Sequence, residues 1–92
     1  KRDNVMQIVT ARTGAYFIDV DTEPTPLGSL RGIVKQRLTE KDNLILSLET
    51  HPEAPYGSMI DALDEVTLAY DELAQANVKR EHRISLKMLE IE

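Results

Sequence analysis

The stretch His51-Pro-Glu-Ala-Pro-Tyr-Gly-Ser-Met-Ile-Asp-Ala-Leu-Asp-Glu-Val66 decides how this chain is read. It follows the apolar run Asn43-Leu-Ile-Leu-Ser-Leu-Glu-Thr50 and precedes a long segment free of Gly and Pro. Pro52 and Pro55 stop strand pairing and push the residue before each into an extended conformation. Pro55-Tyr-Gly-Ser58 then leads into a helix, with Ser58 a residue of its N-terminal turn. The stretch is therefore a strand-to-helix turn, and the elements on either side must be a strand and its return helix.

Working outward, Leu44, Leu46 and Leu48 fall on one face of a strand, with Ile45, Ser47 and Glu49 on the other. The helix after the turn runs to Ala76 or Asn77, which is a C-terminal stop. Met59, Ile60, Leu63, Val66, Tyr70 and Leu73 form its buried stripe at spacings of three and four. Asp61, Asp64, Glu65, Asp71 and Glu72 form its solvent face, and the early acids suit the positive end of the helix dipole. After the polar link Val78–His82, Arg83-Ile-Ser-Leu-Lys-Met88 alternates as a last strand, with Ile84, Leu86 and Met88 inward. Leu89–Glu92 extends that strand or frays.

Upstream, Val5–Ala11 and Ala15–Val20 are β-favouring runs joined by Arg12-Thr-Gly14, which reads as a hairpin. Tyr16, Ile18 and Val20 share one face of the second run, with Ala15, Phe17 and Asp19 on the other. Asp21–Pro26 is a loop, because Pro24 and Pro26 each remove a ladder donor. Leu27–Glu40 has helical spacing, with Leu27, Leu30, Ile33, Val34 and Leu38 on one stripe and Arg31, Lys35 and Arg37 facing away from it or flanking it. Gly28 and Gly32 weaken this helix by up to ~1 kcal/mol each if interior. The order is thus ββαβαβ. Right-handed crossovers place both helices on one face of a mixed sheet, giving an α+β two-layer sandwich with the other sheet face uncovered.

Ninety-two residues make one small domain, burying about 60–65% of the unfolded chain's surface, so a partner or dimer contact would matter to it. The net charge of −5 disfavours nucleic acid, which needs clustered Lys and Arg. The aromatic supply is Tyr16, Phe17, Tyr56 and Tyr70, with no Trp to anchor an interface and no cysteine to form a disulfide. No run approaches the ~18–20 apolar residues that span a bilayer. The sequence starts at Lys1 without an initiator Met, which reads as a piece of a longer or processed chain.

Signals for catalysis are poor. His51 and His82 each sit near carboxylates, but a metal site needs three or four converging ligands. Ser58 lacks the Gly-x-Ser-x-Gly frame of a nucleophile elbow, and Gly28 and Gly32 lack the Gly-Lys-Ser/Thr of a phosphate loop. Asp61 and Asp64 lie on a polar helix face where nothing argues for a raised pKa. The expectation is no enzyme, no cofactor and no metal. Binding signals come from the uncovered sheet face, which carries Phe17, Ile45 and part of Val5–Val9, and from strand edges able to accept another strand.

Gly14-Ala-Tyr-Phe-Ile-Asp19, Leu30 and Leu38, the Leu44–Leu48 strand, Ala54-Pro-Tyr-Gly57 with Met59-Ile-Asp-Ala-Leu-Asp64, and Arg83-Ile-Ser-Leu86 together resemble the periplasmic domain of the ExbD/TolR biopolymer-transport family. The resemblance spans roughly Ile8 to Met88, and the Pro-Tyr-Gly approach to a helix between two strands is its most specific element. Thr50-His51 stands where the family often has Ala-Asp, and Tyr70–Glu81 is longer than usual and lacks the common Ala-Gly turn. The resemblance implies an accessory subunit of a proton-motive-force-driven inner-membrane complex, anchored by one transmembrane helix upstream of Lys1 that carries the proton-binding Asp. It further implies a homodimer working with ExbB/TolQ-like membrane subunits, and contact with a TonB- or TolA-like protein or with peptidoglycan. Phe17, Ile45, Pro55 and Tyr56 are the partner-binding candidates, although core packing at the helix entrance is the favoured role for Tyr56. The competing readings are an unrelated small α/β ligand-binding or secretion-ring module and, last, a small hydrolase or metal enzyme.

Overall fold

A computed structural model describes residues 4–90. The elements are β1 (Val5–Thr10), β2 (Tyr16–Ile18), α1 (Leu27–Glu40), β3 (Ile45–Thr50), α2 (Ser58–Gln75) and β4 (Ile84–Met88). The four strands form one sheet in the order β2-β1-β3-β4, with β1–β2 antiparallel and β1–β3 and β3–β4 parallel. This is the ββαβαβ α+β sandwich with a mixed, open sheet. A parallel neighbour needs a crossover, and α1 and α2 supply the two.

The core is the layer between the helices and one sheet face. Met6 and Ile8 from β1, Tyr16 and Ile18 from β2, and Leu46 and Leu48 from β3 meet Leu30, Val34 and Leu38 from α1 and Ala62, Val66, Ala69, Tyr70 and Leu73 from α2. The helical stripe on α2 thus includes Ala62 and Ala69, whose small side chains let the helix lie close. Ile60 is outside the stripe at 47% exposure, because position 60 turns to the flank of α2 rather than onto the sheet.

Two positive-φ residues explain where elements stop. Asp19 (φ 54°) ends β2 early. Its N–H donates to the Gln7 carbonyl at 2.9 Å. The return bond from the Gln7 N–H goes to Asp19 Oδ1 at 3.0 Å, while Oδ2 pairs with Arg37 at 3.0 Å. The carboxylate takes the place its own carbonyl would hold in a continuing ladder. The alternation therefore breaks at Asp19, and Val20, expected on the face of Tyr16 and Ile18, is 77% exposed. Asn77 (φ 66°) ends α2. Its N–H donates to Ala74 and that of Val78 to Leu73, while Val78 packs on the core, which completes a Schellman motif. The following link is held by Arg80, which donates to the Leu38 carbonyl at 2.8 Å at the C-terminal end of α1, where a cation is favoured.

Leu86 and Met88 correct the last expectation. They lie on the helix side of β4, in register with Leu48 and Thr50, yet they are 53% and 64% exposed. β4 is the sheet edge, and α2 does not extend far enough to cover it. Leu89 continues only one bond beyond, its N–H donating to the Thr50 carbonyl; residues 91 and 92 lie outside the described residues.

Candidate interaction surfaces

Three surfaces are left open by this fold. The first is the bare sheet face. Val5, Gln7 and Val9 of β1 stand beside Ile45, Ser47 and Glu49 of β3 in register, and Phe17 stands beside Val9. The centre of this face is polar: Glu49 accepts from Gln7 Nε2 at 2.9 Å and from the Ser47 hydroxyl at 3.0 Å. Phe17 on the edge strand β2 and Ile45 at the start of the interior strand β3 are thus separated by this polar row. Both are half-buried.

The second surface is the β3–α2 turn. The His51 carbonyl accepts from Ala54 and the Pro55 carbonyl from Ser58, and His51 Nδ1 accepts from the Glu53 N–H at 2.9 Å. Gly57 (φ 97°) supplies the left-handed step before α2, a conformation only Gly takes at little cost. Pro55 rests against the hairpin turn: a Cβ on Gly14 would lie 3.3 Å from Pro55 Cγ. Tyr56, expected to pack at the helix entrance, is instead fully exposed. That packing position belongs to Tyr16, whose hydroxyl donates to the Ser58 carbonyl at 2.6 Å. Burial, and then the Asp61 charge, push the Tyr16 phenol above the ordinary tyrosine range. Thr50, His51, Pro55, Tyr56, Ile60 and Met88 are among the residues that line a mainly apolar groove of about 200 Å³ beside this turn.

The third surface is the outer edge of β4. Leu46 N–H donates to the Arg83 carbonyl, and Leu89 N–H to the Thr50 carbonyl. With the parallel register Leu46–Ile84, Leu48–Leu86 and Thr50–Met88, this ladder points the N–H and C=O of Ile84, Leu86 and Met88 away from β3. Sequence reading missed Leu86, Met88 and Ile60 as surface residues. Their alternation and helical spacing are those of buried residues, and only the strand order shows that nothing covers them.

Between the helices, Arg31 pairs with Glu65 at 3.1 Å and with Glu72 at 2.7 Å, and Lys35 pairs with Glu72 at 2.9 Å. Glu65 and Glu72, expected on the solvent face, therefore bridge α2 to α1. Lys35 first and Arg31 second hold the Glu72 carboxyl below the ordinary carboxylate range. These four residues, with Leu27, Gly28 and Gly32, line an open cleft of about 470 Å³, but both cations in it are already neutralised.

His51 follows β3 and His82 precedes β4; because these strands are parallel, the two histidines sit at opposite ends of the sheet. His82 lies against the Tyr70 ring with centroids 4.2 Å apart. Among the described residues, no group of three or more His, Asp or Glu side chains is placed to hold a metal ion, and no helix is long and apolar enough to cross a membrane. The molecule thus defines an open-faced α+β sandwich with a mixed four-stranded sheet. No family model and no curated protein matches the chain.

Proposed function

We propose that this chain is the periplasmic interaction lobe of an ExbD/TolR-like subunit, in a proton-motive-force-driven inner-membrane complex that supports transport across the cell envelope. The observation that carries the reading is the two-layer ββαβαβ lobe with one whole sheet face and the β4 edge left uncovered. A domain of this size with two open strand surfaces is suited to binding other chains. The Ala54-Pro-Tyr-Gly57 turn, with Pro55 on the hairpin and Gly57 in the left-handed region, supports the resemblance. In this reading the lobe pairs with a second copy and works with ExbB/TolQ-like membrane subunits. It passes motion to a TonB- or TolA-like protein or engages peptidoglycan. Proton handling belongs to an upstream membrane helix, so none of Asp61, Asp64 or Asp71 carries it.

The test is the complete reading frame followed by co-purification. An apolar segment of about 20 residues containing an Asp, upstream of the lobe, is the expected result, together with recovery of the full-length chain in complex with a multi-spanning membrane subunit. A complete reading frame without such a segment would overturn the proposal.

A further inference from the structure

We propose that the outer edge of β4 pairs antiparallel with the same edge of a second copy, centred on Leu86, so that two four-stranded sheets join into one. The inference rests on reading the lobe as one that works in pairs, and it names the surface and the register of that pairing.

The backbone selects the surface. Ile84, Leu86 and Met88 direct their N–H and C=O groups outward from the sheet, as the β3–β4 register requires. An open edge of this kind is a template for another strand. The other edge strand, β2, is three residues long, and the proline loop already bridges it at Tyr16 through Thr25.

Charge and hydrogen bonding select the register. Two copies of one strand meet antiparallel about a two-fold axis only where one residue faces itself. With Leu86 at the centre, Ile84 faces Met88 of the second copy and Leu86 faces its own counterpart. All three outward residues then exchange backbone bonds within the strand. A centre at Ser85 sets Arg83 against Lys87, a centre at Lys87 sets that cation against itself, and like charges directly opposite are destabilising. The Leu86 centre instead places Lys87 opposite Ser85 and keeps Glu49 of β3 beside it. Continued past the strand ends, the same register lays the basic approach to β4, His82 and Arg83, alongside the acidic exit at Glu90. Symmetry makes that complementary contact twice.

The side chains fit the same partner. Leu86 and Met88 are more than half exposed on the helix side of β4. Tyr70 accepts from the Arg83 N–H and lies against His82, so it marks the flank of α2 that overlooks β4. Leu63 and Thr67 share that flank, and Ile60 lines a groove with Met88. Asp64 and Asp71 point away from the sheet, opposite the buried Ala62, Val66, Ala69 and Leu73. The strip along the edge is therefore apolar, and self-pairing brings Ile84, Leu86 and Met88 of one copy against Met88, Leu86 and Ile84 of the other. In the joined sheet the two β3 strands lie roughly 14 Å apart, with both apolar strips between them.

The experiment uses the 92-residue chain, which contains no cysteine, so introduced thiols report the register under mild oxidation. A mixture of Ser85→Cys and Lys87→Cys chains should form a disulfide-linked heterodimer, because positions 85 and 87 face each other within the reach of a disulfide. Each chain alone should cross-link about tenfold more slowly, since its two thiols stand diagonally across the pair. Sedimentation of the unmodified chain at millimolar concentration, the effective concentration a shared anchor gives, should show a dimer. Leu86→Lys, at an exposed position that leaves the core intact, should weaken association about tenfold or more; its melting curve checks that it folds. A monomer at millimolar concentration, equal cross-linking of each chain alone, or undiminished association of the folded Leu86→Lys variant would overturn the proposal. So would faster cross-linking of a Phe17→Cys chain, which would assign pairing to the bare sheet face. Any of these results leaves the membrane-anchor test of the broader function untouched.

Discussion

The Tyr16 hydroxyl donates to the Ser58 carbonyl at 2.6 Å, so the shortest strand of the sheet is tied to the first turn of the longest helix. Tyr16 also shares its backbone with two neighbours, pairing with Thr10 in β1 and bridging to Thr25 before α1. One residue therefore fixes the hairpin, the proline loop and the start of α2 relative to one another. Replacing it with Phe keeps the ring and removes the bond, and should cost about 1 kcal/mol. In a domain of this size that lowers the melting temperature by roughly 4–8 °C.

Alkaline titration gives a second readout of the same burial. Tyr16 and Tyr70 both titrate above the ordinary value of 10.0, mainly because burial disfavours the phenolate. The folded state then holds its protons longer than the unfolded state, so their contribution to stability is complete below pH 10.0 and is lost as pH rises through the raised values. Urea unfolding midpoints should decline above that point, and the decline should be shallower in Tyr16→Phe and in Tyr70→Phe.

Asp19 offers a sharper test of the hairpin. Asp19→Ala loses the acceptor for the Gln7 N–H and the partner of Arg37, and leaves a Cβ residue at positive φ without a local hydrogen bond. A loss of about 1–2 kcal/mol in denaturant unfolding is expected. Asp19→Asn keeps the acceptor oxygen and tolerates the left-handed region, so its loss should be less than half as large.

Glycines at two positions should respond in opposite directions. Gly14 has φ +93° and a Cβ there would meet Pro55 and Ser58 at 3.3 Å; Gly14→Ala should destabilise by about 1–2 kcal/mol. Gly32 lies inside α1 with open space where a Cβ would go. Gly32→Ala should stabilise by about 0.5–1 kcal/mol, seen as a higher melting temperature.

The bridge between the helices should carry an acid-side dependence. Because Lys35 and Arg31 hold the Glu72 carboxyl below the ordinary value of 4.5, the bridge stabilises fully above that value and is lost as pH falls toward the depressed one. The groups are well exposed, so the effect is small and screened by salt. Glu72→Gln should flatten the acid limb of the melting-temperature profile at low ionic strength and do little at high salt.

Periodicity alone revealed most of the architecture. The 44–50 strand, the proline turn and the stripes on α1 and α2 needed no tertiary knowledge, since their spacing and breakers act over one or two turns of chain. What spacing could not reveal was which stripe gets covered. Leu86 and Met88 alternate as a buried strand does, but coverage depends on β4 being last in the sheet. Val20 was misplaced because the left-handed turn at Asp19 depends on a side-chain bond to Gln7, twelve residues away. Tyr16 fills the place expected of Tyr56 for a related reason: the residue that packs at the start of α2 comes from β2, which no local pattern in Pro55–Ser58 discloses. Of the four partner-binding candidates, the structure places Phe17 and Ile45 on the bare sheet face. Pro55 lies against the hairpin, and Tyr56 on the rim of the groove.

The parallel course of β1, β3 and β4 has a mechanical consequence. The chain enters β1 at one end of the sheet and leaves β4 at the other, with β3 between them. Tension drawn across those two ends would slide the strands past one another, so each ladder's hydrogen bonds would share the load at once instead of parting one by one like a zip.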